Sequence, residues 1–475
     1  MTTNLQRHAE TEAADVPTSG WRTTRMVTAL RVAALVEGLA AAVIVGLNGS
    51  LPWQLARVLI VGALTALAMW GLGSARRGVR AAVALSAGLI GTVVGIGIGV
   101  GHITHDTVNA TAVTAIVCLV SGLFLLGVGS VALVRALPGF WKLLTVPIAL
   151  ILVLFVLYPL PNALYATNVP RPALGAATPA DRGLTYLDAQ FETSDGVALS
   201  GWYLPSTNGA AVVLLHGASS TRSAVLDHAA VLAENGYGVL LFDARGHGLS
   251  DGQAMEFGWF GDQDIAAALT YLQTRPDVDP QRLGAVGMSM GGEQVVGAAG
   301  TDTRIRAVVG EGVTGRTAAD KGWLPQHWRG WIQRGIDAVL YGTADLLTDA
   351  SPPIRLRDAV AEAAPRPVLL IAGGAVMGNA EVDANTWIRA ASPDTVQVGS
   401  CRTPDTQQRC ARNRTNGRPR SSASSTPRCS TRQADRTTHT HRRARPQDST
   451  RPLARNRCAV NRQIAGPRGV ARSVG

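Results

Sequence analysis

The sequence predicts a bundle of membrane-spanning α-helices followed by an α/β domain with a mostly parallel, doubly wound sheet, and then a disordered C-terminal tail. Three observations support this fold class. Residues 27–160 contain five long apolar stretches. Between residues 185 and 398, short apolar runs alternate with helical patterns, as in proteins whose strands form a parallel sheet. From residue 399 the chain becomes rich in Arg, Ser, Thr and Pro.

Each of the five apolar stretches is close to the ~20 residues with which a helix crosses ~30 Å of hydrocarbon. Five in succession, joined by short polar loops, disfavour a buried core helix and a cleaved signal peptide. We predict a cytoplasmic segment at residues 1–25, about five membrane helices within 26–160 and a linker at 161–184. The predicted spans are 27–47, 54–72, 81–101, 111–134 and 143–160.

The basic residues of the short loops predict the orientation of these spans. The loop at 74–80 contains three Arg, the loop at 101–110 contains none, and the loop at 135–142 contains one Arg and one Lys. Basic loops remain on the cytoplasmic side of the membrane. The fifth span therefore leads outwards, and we expect the α/β domain outside the cytoplasmic membrane, next to the lipid bilayer.

The net charge of +11 does not predict a nucleic-acid partner, because the charge is confined to one end of the chain. Residues 399–475 contain 18 Arg and 3 Asp, so the rest of the chain carries a net charge of −4. Four of the five Cys also lie in this tail, and none has the spacing of metal ligands. We expect no nucleic-acid partner, no metal and no cofactor.

The α/β part begins with a predicted hairpin, at 187–193 and 197–204, joined by Ser-Asp-Gly. The later apolar runs show no alternation, as expected for strands that are covered on both faces. Helical patterns lie near 222–235, 260–273 and 290–299. The later strands are predicted at 211–215, 238–243, 282–287, 305–310, 367–372 and 395–398.

The most informative motif is Gly-Ala-Val-Gly-Met-Ser-Met-Gly-Gly at residues 284–292, with Ser289 at its centre. The pattern Gly-x-Ser-x-Gly, between a strand and a helix, is typical of a sharp turn that exposes a nucleophilic hydroxyl. Gly287 and Gly291 flank Ser289 because a Cβ atom there is expected to collide with the adjacent strand or helix.

Two further motifs accompany the elbow. The strand at 211–215 runs into His216-Gly217-Ala218, and the next strand runs into a Gly-rich turn that begins at Asp243. Together with the elbow, these motifs resemble the α/β-hydrolase fold family, specifically its esterase and serine-aminopeptidase-like members. The resemblance covers residues 185–398, with a cap over the site at about 315–360.

The resemblance implies roles for particular residues. Ser289 is the expected nucleophile, and the backbone N–H groups of Ala218 and Met290 are the expected oxyanion donors. The acid is expected after the strand at 367–372, where Glu381 and Asp383 remain alternatives with Glu381 preferred. Four residues are expected to support the site structurally rather than to react: His216, Asp243, Arg245 and His247.

The resemblance also requires a catalytic His after the strand at 395–398, and none is identified there. The tail lacks Phe, Trp and Tyr, so it cannot bury enough surface to fold alone. His439 and His441 lie within it, far from the expected position. We therefore interpret residues 399–475 as a disordered basic tail translated out of frame.

We predict that the reading frame slipped by one base near residue 399. A Ser codon of the TC-N type, shifted by one base, becomes Phe, Leu, Ile or Val. Read back in this way, the stretch from Arg402 to Ser430 gives a Gly-His pair and then a capped amphipathic helix. The family has the same features at this place.

Two functions follow from the sequence. The first is a membrane-anchored serine hydrolase that cleaves a small ester or peptide-like substrate, impaired in this chain by loss of the catalytic His. The alternative is a non-catalytic membrane protein whose hydrolase-like domain binds a ligand or partner. The elbow at Ser289 favours the first, and the missing His favours the second.

Overall fold

The computed structural model describes residues 18–46, 51–104, 108–373 and 379–401, together with Cys458 and Ala459. Within these residues the chain forms five apolar helical segments and then an α/β part with a mostly parallel sheet, so this part of the predicted fold class is confirmed. Most of the predicted cytoplasmic segment and of the predicted tail, including His439 and His441, lies outside the described residues.

Five helical segments of the first part are long and apolar enough to cross a membrane. Their bounds are Thr24–Gly46, Gln54–Leu72, Arg77–Thr104, Ala110–Ala136 and Gly139–Thr167. The helices within them are α1 (Thr18–Gly46), α2 (Leu51–Leu72), α3 (Arg77–Val94), α4 (Gly101–Thr104), α5 (Ala110–Ala136), α6 (Thr145–Leu152) and α7 (Pro159–Thr167). Single π-helical segments, Gly95–Val100 and Val153–Leu157, join α3 to α4 and follow α6.

Glycines bring α3 and α5 into close contact. A Cβ atom at Gly122 would lie 2.6 Å from the backbone nitrogen of Thr92 and 2.7 Å from the carbonyl carbon of Gly91. Small residues allow helix backbones to approach in this way within a bilayer, where packing rather than the hydrophobic effect holds helices together.

The fifth apolar segment extends further than predicted. Helix α7 runs to Thr167, well into the predicted linker at 161–184. Proline lacks a backbone N–H, but the first turn of a helix needs no such donor, so Pro159 starts α7 instead of ending the span. The Pro-rich sequence therefore marks a helix start.

The α/β part contains a nine-stranded sheet in the order β1-β2-β4-β3-β5-β6-β7-β8-β9. Strands β3 to β8 are parallel to one another, β2 is antiparallel to β1 and β4, and β9 is antiparallel to β8. Strand β8 ends at Cys401, three residues beyond its predicted end. The strands are β1 (Leu187–Glu192), β2 (Ala198–Leu204), β3 (Ala211–Leu215), β4 (Gly238–Phe242), β5 (Leu283–Met288), β6 (Ile305–Glu311), β7 (Val368–Ala372), β8 (Val396–Cys401) and β9 (Cys458–Ala459).

Helices lie on both faces of this sheet. One face packs against four helices in the main apolar core, and the other packs against α8 alone among the described helices, over strands β3 and β4. The helices are α8 (Leu226–Glu234), α9 (Gly261–Gln273), α10 (Met290–Thr301), α11 (Trp328–Leu347), α12 (Leu356–Ala363) and α13 (Ala380–Arg389). Helices α9, α10, α12 and α13 form the four-helix side, and α11 lies apart from the sheet, within the predicted cap.

Candidate active site

Ser289 occupies the turn between β5 and α10. Its backbone has φ 51° and ψ −118°, a left-handed conformation that costs a non-glycine residue on the order of 1–3 kcal/mol. The turn is held because the Ser289 N–H donates to the carbonyl oxygen of Glu311, at the end of β6, over 2.7 Å. The side chain is exposed. The turn therefore presents a hydroxyl at the carboxyl edge of the sheet.

The glycines around Ser289 are required by close contacts. A Cβ atom at Gly287 would overlap the backbone of Gly291, and a Cβ atom at Gly291 would overlap the carbonyl oxygen of His216. A Cβ atom at Gly217 would lie 3.3 Å from the Cβ atom of Ser289. The turn is therefore compact enough to bring the loop after β3 against the elbow.

The loop after β3 is held by an acidic residue for which the sequence offered no motif. The backbone N–H of Ser219 donates to both carboxylate oxygens of Glu256, at 3.0 and 3.1 Å, and the Ser219 hydroxyl donates to one of them. Ser219 also has a positive φ of 51°. These contacts fix the backbone beside Ala218, which is itself exposed. Met290, on the other side of Ser289, begins α10.

His216 is fully buried behind this loop. Its Nε2 accepts from the backbone N–H of Ala244 at 3.1 Å, so its Nδ1 carries the proton that is donated to the Gly217 carbonyl oxygen at 2.7 Å. Burial, followed by the nearby charge of His247, lowers the pKa of His216 to about 3. The ring is therefore neutral at physiological pH and joins the ends of β3 and β4.

Asp243, also fully buried, organises the Gly-rich turn after β4. Its carboxylate accepts from the backbone N–H groups of Arg222 and Leu249, at 2.8 and 3.0 Å. It also forms an ion pair with the Arg222 guanidinium at 3.1 Å. The carboxylate is thereby fully engaged inside the protein and faces no open site.

Arg245 binds two carboxylates. Its guanidinium pairs with Asp264 at 2.7 Å and with Asp195 at 2.8 Å, and it lies over the ring of Phe260. The hydrogen bond from Arg245 lowers the pKa of Asp195 to about 2. Arg245 thus connects the hairpin turn of β1 and β2 to α9.

His247 lies beside His216, with ring centroids 5.0 Å apart. Its Nδ1 lies 2.9 Å from the carbonyl oxygen of Arg245, and its Nε2 lies 3.9 Å from Glu256 Oε1. The ring is 1% exposed. The four residues expected to support the site therefore bind within and between the loops after β3 and β4 and the elements beside them.

The two candidate acids differ in their surroundings. Glu381, in the first turn of α13, accepts a hydrogen bond from the backbone N–H of Gly373, directly after β7. Asp383 is exposed on the same helix. Strands β5, β6 and β7 are adjacent and parallel, so their carboxyl ends lie at one edge of the sheet. The Glu381 carboxylate, at the end of β7, is therefore at the same edge as Ser289, which follows β5.

The sequence predicted no histidine partner for Ser289. Within the described residues, Ser289 Oγ forms no hydrogen bond with a histidine. His228, on α8, lies near the end of β6, the strand next to β5. Its Nε2 is 3.7 Å from Glu311 Oε2, and both side chains are partly exposed. Sequence reasoning missed this pair, as it missed Glu256, because no spacing connects α8 with the end of β6.

Comparison with known proteins identifies a family model and several relatives. Residues 206–339 match the family model of the serine aminopeptidases, S33. The thiohydrolase aneE of Aspergillus aculeatus is 38% identical over 129 residues, which are 26% of this chain and 41% of the fungal protein. An uncharacterized protein of Mycobacterium tuberculosis is 38% identical over 133 residues, 27% of this chain and 45% of that protein.

A Pyrococcus furiosus esterase of known structure is 24% identical, with a TM-score of 0.39, and the alignment covers 52% of this chain and 95% of the esterase. The chain spans less than half the length of the curated relatives described above. The matched residues include β3 to β6, the Ser289 elbow and the loops beside it. Residues 206–339 of this chain are thus similar to the serine aminopeptidases, S33, within an α/β domain of the α/β-hydrolase type.

Proposed function

We propose that the protein is a membrane-anchored serine hydrolase whose nucleophile is Ser289. The observation that carries this proposal is the strained, exposed Ser289 at the start of α10, packed against the glycine loop after β3. Ser289 Oγ attacks the carbonyl carbon of an ester or peptide-like bond, the alcohol or amine leaves with a proton, and water then releases the acid. The net reaction consumes one water molecule.

Two backbone N–H groups are proposed to stabilise the oxyanion, those of Met290 and Ala218. Met290 is the first residue of a twelve-residue helix, where backbone N–H groups have no partner within the helix. Ala218 adjoins Ser219, which Glu256 holds. A fixed donor of this kind contributes about 3 kcal/mol to transition-state stabilisation.

Glu381 is the proposed acid, because its carboxylate reaches the end of β7 and that of Asp383 is exposed. The two residues form a matched pair for mutagenesis. In a form with turnover, we expect Glu381→Gln to lower kcat by about 10³- to 10⁴-fold, as expected for loss of an orienting carboxylate. Asp383→Asn should leave kcat within about twofold. The reverse result would transfer the role to Asp383.

The proposed base is a histidine that this reading frame does not encode. The described chain ends β8 at Cys401, where the family resemblance requires the histidine, and the sequence beyond it has the composition of a shifted frame. We propose that the chain as given is impaired for this reason. Resequencing the gene tests the proposal, and tail peptides identified by mass spectrometry together with full hydrolase activity would refute it.

A fluorophosphonate probe tests the function itself, because it labels only an activated serine. We expect labelling of Ser289 in a frame-restored chain, little labelling in the chain as given and none in Ser289→Ala. A restored chain that folds but stays unlabelled would support the alternative, a hydrolase-like domain that binds a ligand or partner without cleaving it. Substrates to compare are acyl esters, aminoacyl amides and thioesters, the last because one relative is named a thiohydrolase.

The domain is proposed to lie outside the cytoplasmic membrane, on the basis of the Arg residues in the loop at 74–80. A reporter that is active only in the cytoplasm, fused after Leu160, should be inactive. An active reporter would place the domain inside.

A further inference from the structure

The last turn of α7 is joined directly to the loops that border Ser289. The backbone N–H of Glu256 donates to the carbonyl oxygen of Ala166 at 3.1 Å, and the Tyr165 hydroxyl lies 3.2 Å from Ser219 Oγ. Glu256 and Ser219 are the two residues that fix the backbone beside Ala218. The end of the fifth apolar segment is therefore in contact with the active-site loop.

Helix α11 lies alongside the same apolar segment. A Cβ atom at Gly335 of α11 would lie 3.0 Å from the ring of Phe155. Further along both helices, Ala163 belongs to one buried cluster with Tyr341 and Ala344. Phe155 lies inside the span predicted at 143–160. The middle of α11 is therefore level with residues that we assign to the bilayer.

The N-terminal half of α11 presents large apolar side chains to its surroundings. Trp328, Trp331 and Ile332 are 61%, 62% and 37% exposed, and their spacing of three and four residues places them on one face of the helix. The guanidinium of Arg329 lies over the ring of Trp328. Tryptophan with neighbouring basic residues is typical of helices that lie in the interface of a bilayer.

The same helix also borders the active site. The Tyr341 hydroxyl donates to the carbonyl oxygen of Gly315 at 3.2 Å. Gly315 ends the short loop after β6, and Gly312 in that loop packs against Ser289, since a Cβ atom there would lie 3.7 Å from the Ser289 Cα atom. Helix α11 thus connects a surface suited to lipid with the wall of the Ser289 site.

We propose that the exposed face of α11 contacts the lipid of the bilayer and that the Ser289 site opens towards the lipid. The substrate class is then an ester with a long acyl or alkyl chain that resides in the bilayer. This inference rests on the proposed function, because it assumes both the membrane anchor and the hydrolase. The bilayer is favoured over a protein partner because Gly335, one helical turn after Trp331, packs against Phe155 of the span itself.

A quenching experiment tests the position of α11 without requiring turnover. The full chain is reconstituted in phosphatidylcholine vesicles with an environment-sensitive fluorophore on Trp331→Cys or on Val231→Cys. Val231 is a matched control, since it lies on α8 and is 60% exposed. We expect doxyl-labelled lipids to quench position 331 at least threefold more than position 231. Equal quenching in a chain that sediments with the vesicles would overturn the inference and leave the anchor standing.

A second experiment tests the substrate class with the frame-restored chain. The double variant Trp328→Ser, Trp331→Ser should lower kcat/KM for a vesicle-borne long-chain ester about tenfold and leave that for a soluble short-chain ester unchanged. Cleavage of the soluble ester alone would refute the proposed substrate class. Cleavage of neither ester would contradict the proposed hydrolase, and the quenching result would still decide the position of α11.

Discussion

The two faces of the sheet differ along strands β6 to β8. On one face, Val308, Leu370 and Val396 are buried in the main core beneath α10, α12 and α13. On the other face, Val309, Leu369 and Ile371 are only half-buried, and Ala307 is exposed. Among the described residues, α8 is the α-helix that covers this second face, and its apolar cluster extends from β2 to β5. We call these four residues of the second face, Ala307, Val309, Leu369 and Ile371, the open face.

The difference shows that the open face has the sequence of a buried surface. Parallel strands are normally covered on both faces, and apolar residues occupy both sides of β6 and β7 accordingly. Residues 402–457 lie outside the described residues, and their composition predicts no apolar helix. The segment read back in the shifted frame does. We propose that this helix belongs on the open face, as the partner that α8 is for β3 and β4.

Restoring the reading frame should therefore have the largest effect on both turnover and stability, because it adds the helix proposed to cover the open face. We expect turnover to rise at least about 10³-fold over the chain as given, since the restored segment supplies the missing base. We also expect a higher melting temperature in detergent, because apolar area on the open face becomes buried. Hydrolysis of ester substrates and thermal unfolding measure the two effects.

The control for this prediction is the restored chain carrying Ser289→Ala. It should gain the same stability and show no turnover, since the hydroxyl contributes little to packing. If the restored chain gained neither turnover nor stability, the restored segment would not be the helix that covers the open face.

Neighbouring residues of one strand provide a finer test. Leu370 faces the covered core and Leu369 faces the open side of β7. In the chain as given, we expect Leu370→Ala to lower the free energy of unfolding by about 2–5 kcal/mol and Leu369→Ala by less than about 1 kcal/mol. In the restored chain the cost of Leu369→Ala should rise towards that of Leu370→Ala. Denaturant unfolding of the four variants measures this, and a constant low cost at Leu369 would argue against a covering helix.

Much of the fold could be predicted from the sequence, because its signals are local. Apolar runs without alternation predicted strands β3 to β8, and five long apolar stretches predicted the apolar helices. The glycines at 287 and 291 predicted the close contacts of the elbow, which the structure confirms. In each case the residues that determine the feature lie within one element or one turn.

Other features depend on contacts between distant segments. Nothing in the local sequence connects Glu256 with Ser219, or Tyr165 with the loop after β3, because these pairs are distant in the sequence and meet only in the folded protein. The extent of α7 was underestimated for a related reason. Residues 161–184 were predicted as a linker, whereas Ala163 of α7 is buried in one cluster with Tyr341 and Ala344 of α11.

The smallest predicted effect is the pH dependence of the free energy of unfolding. It arises from His216, which joins the ends of β3 and β4, the strands that α8 covers. Its pKa is about 3 in the folded protein and about 6.5 in an unfolded chain, so the unfolded state binds the proton more tightly. The stability from the neutral ring is fully present above pH 6.5 and is lost as the pH falls towards 3, by up to about 1.4 kcal/mol per unit. Between pH 6.5 and 5, the wild type should thus lose about 2 kcal/mol more than His216→Asn.

Leu369→Ala is the control, since it changes stability without removing a titrating group. Equal pH slopes for the wild type and His216→Asn would mean that the ring titrates normally, and that the loop beside Ser289 is less buried than the structure shows.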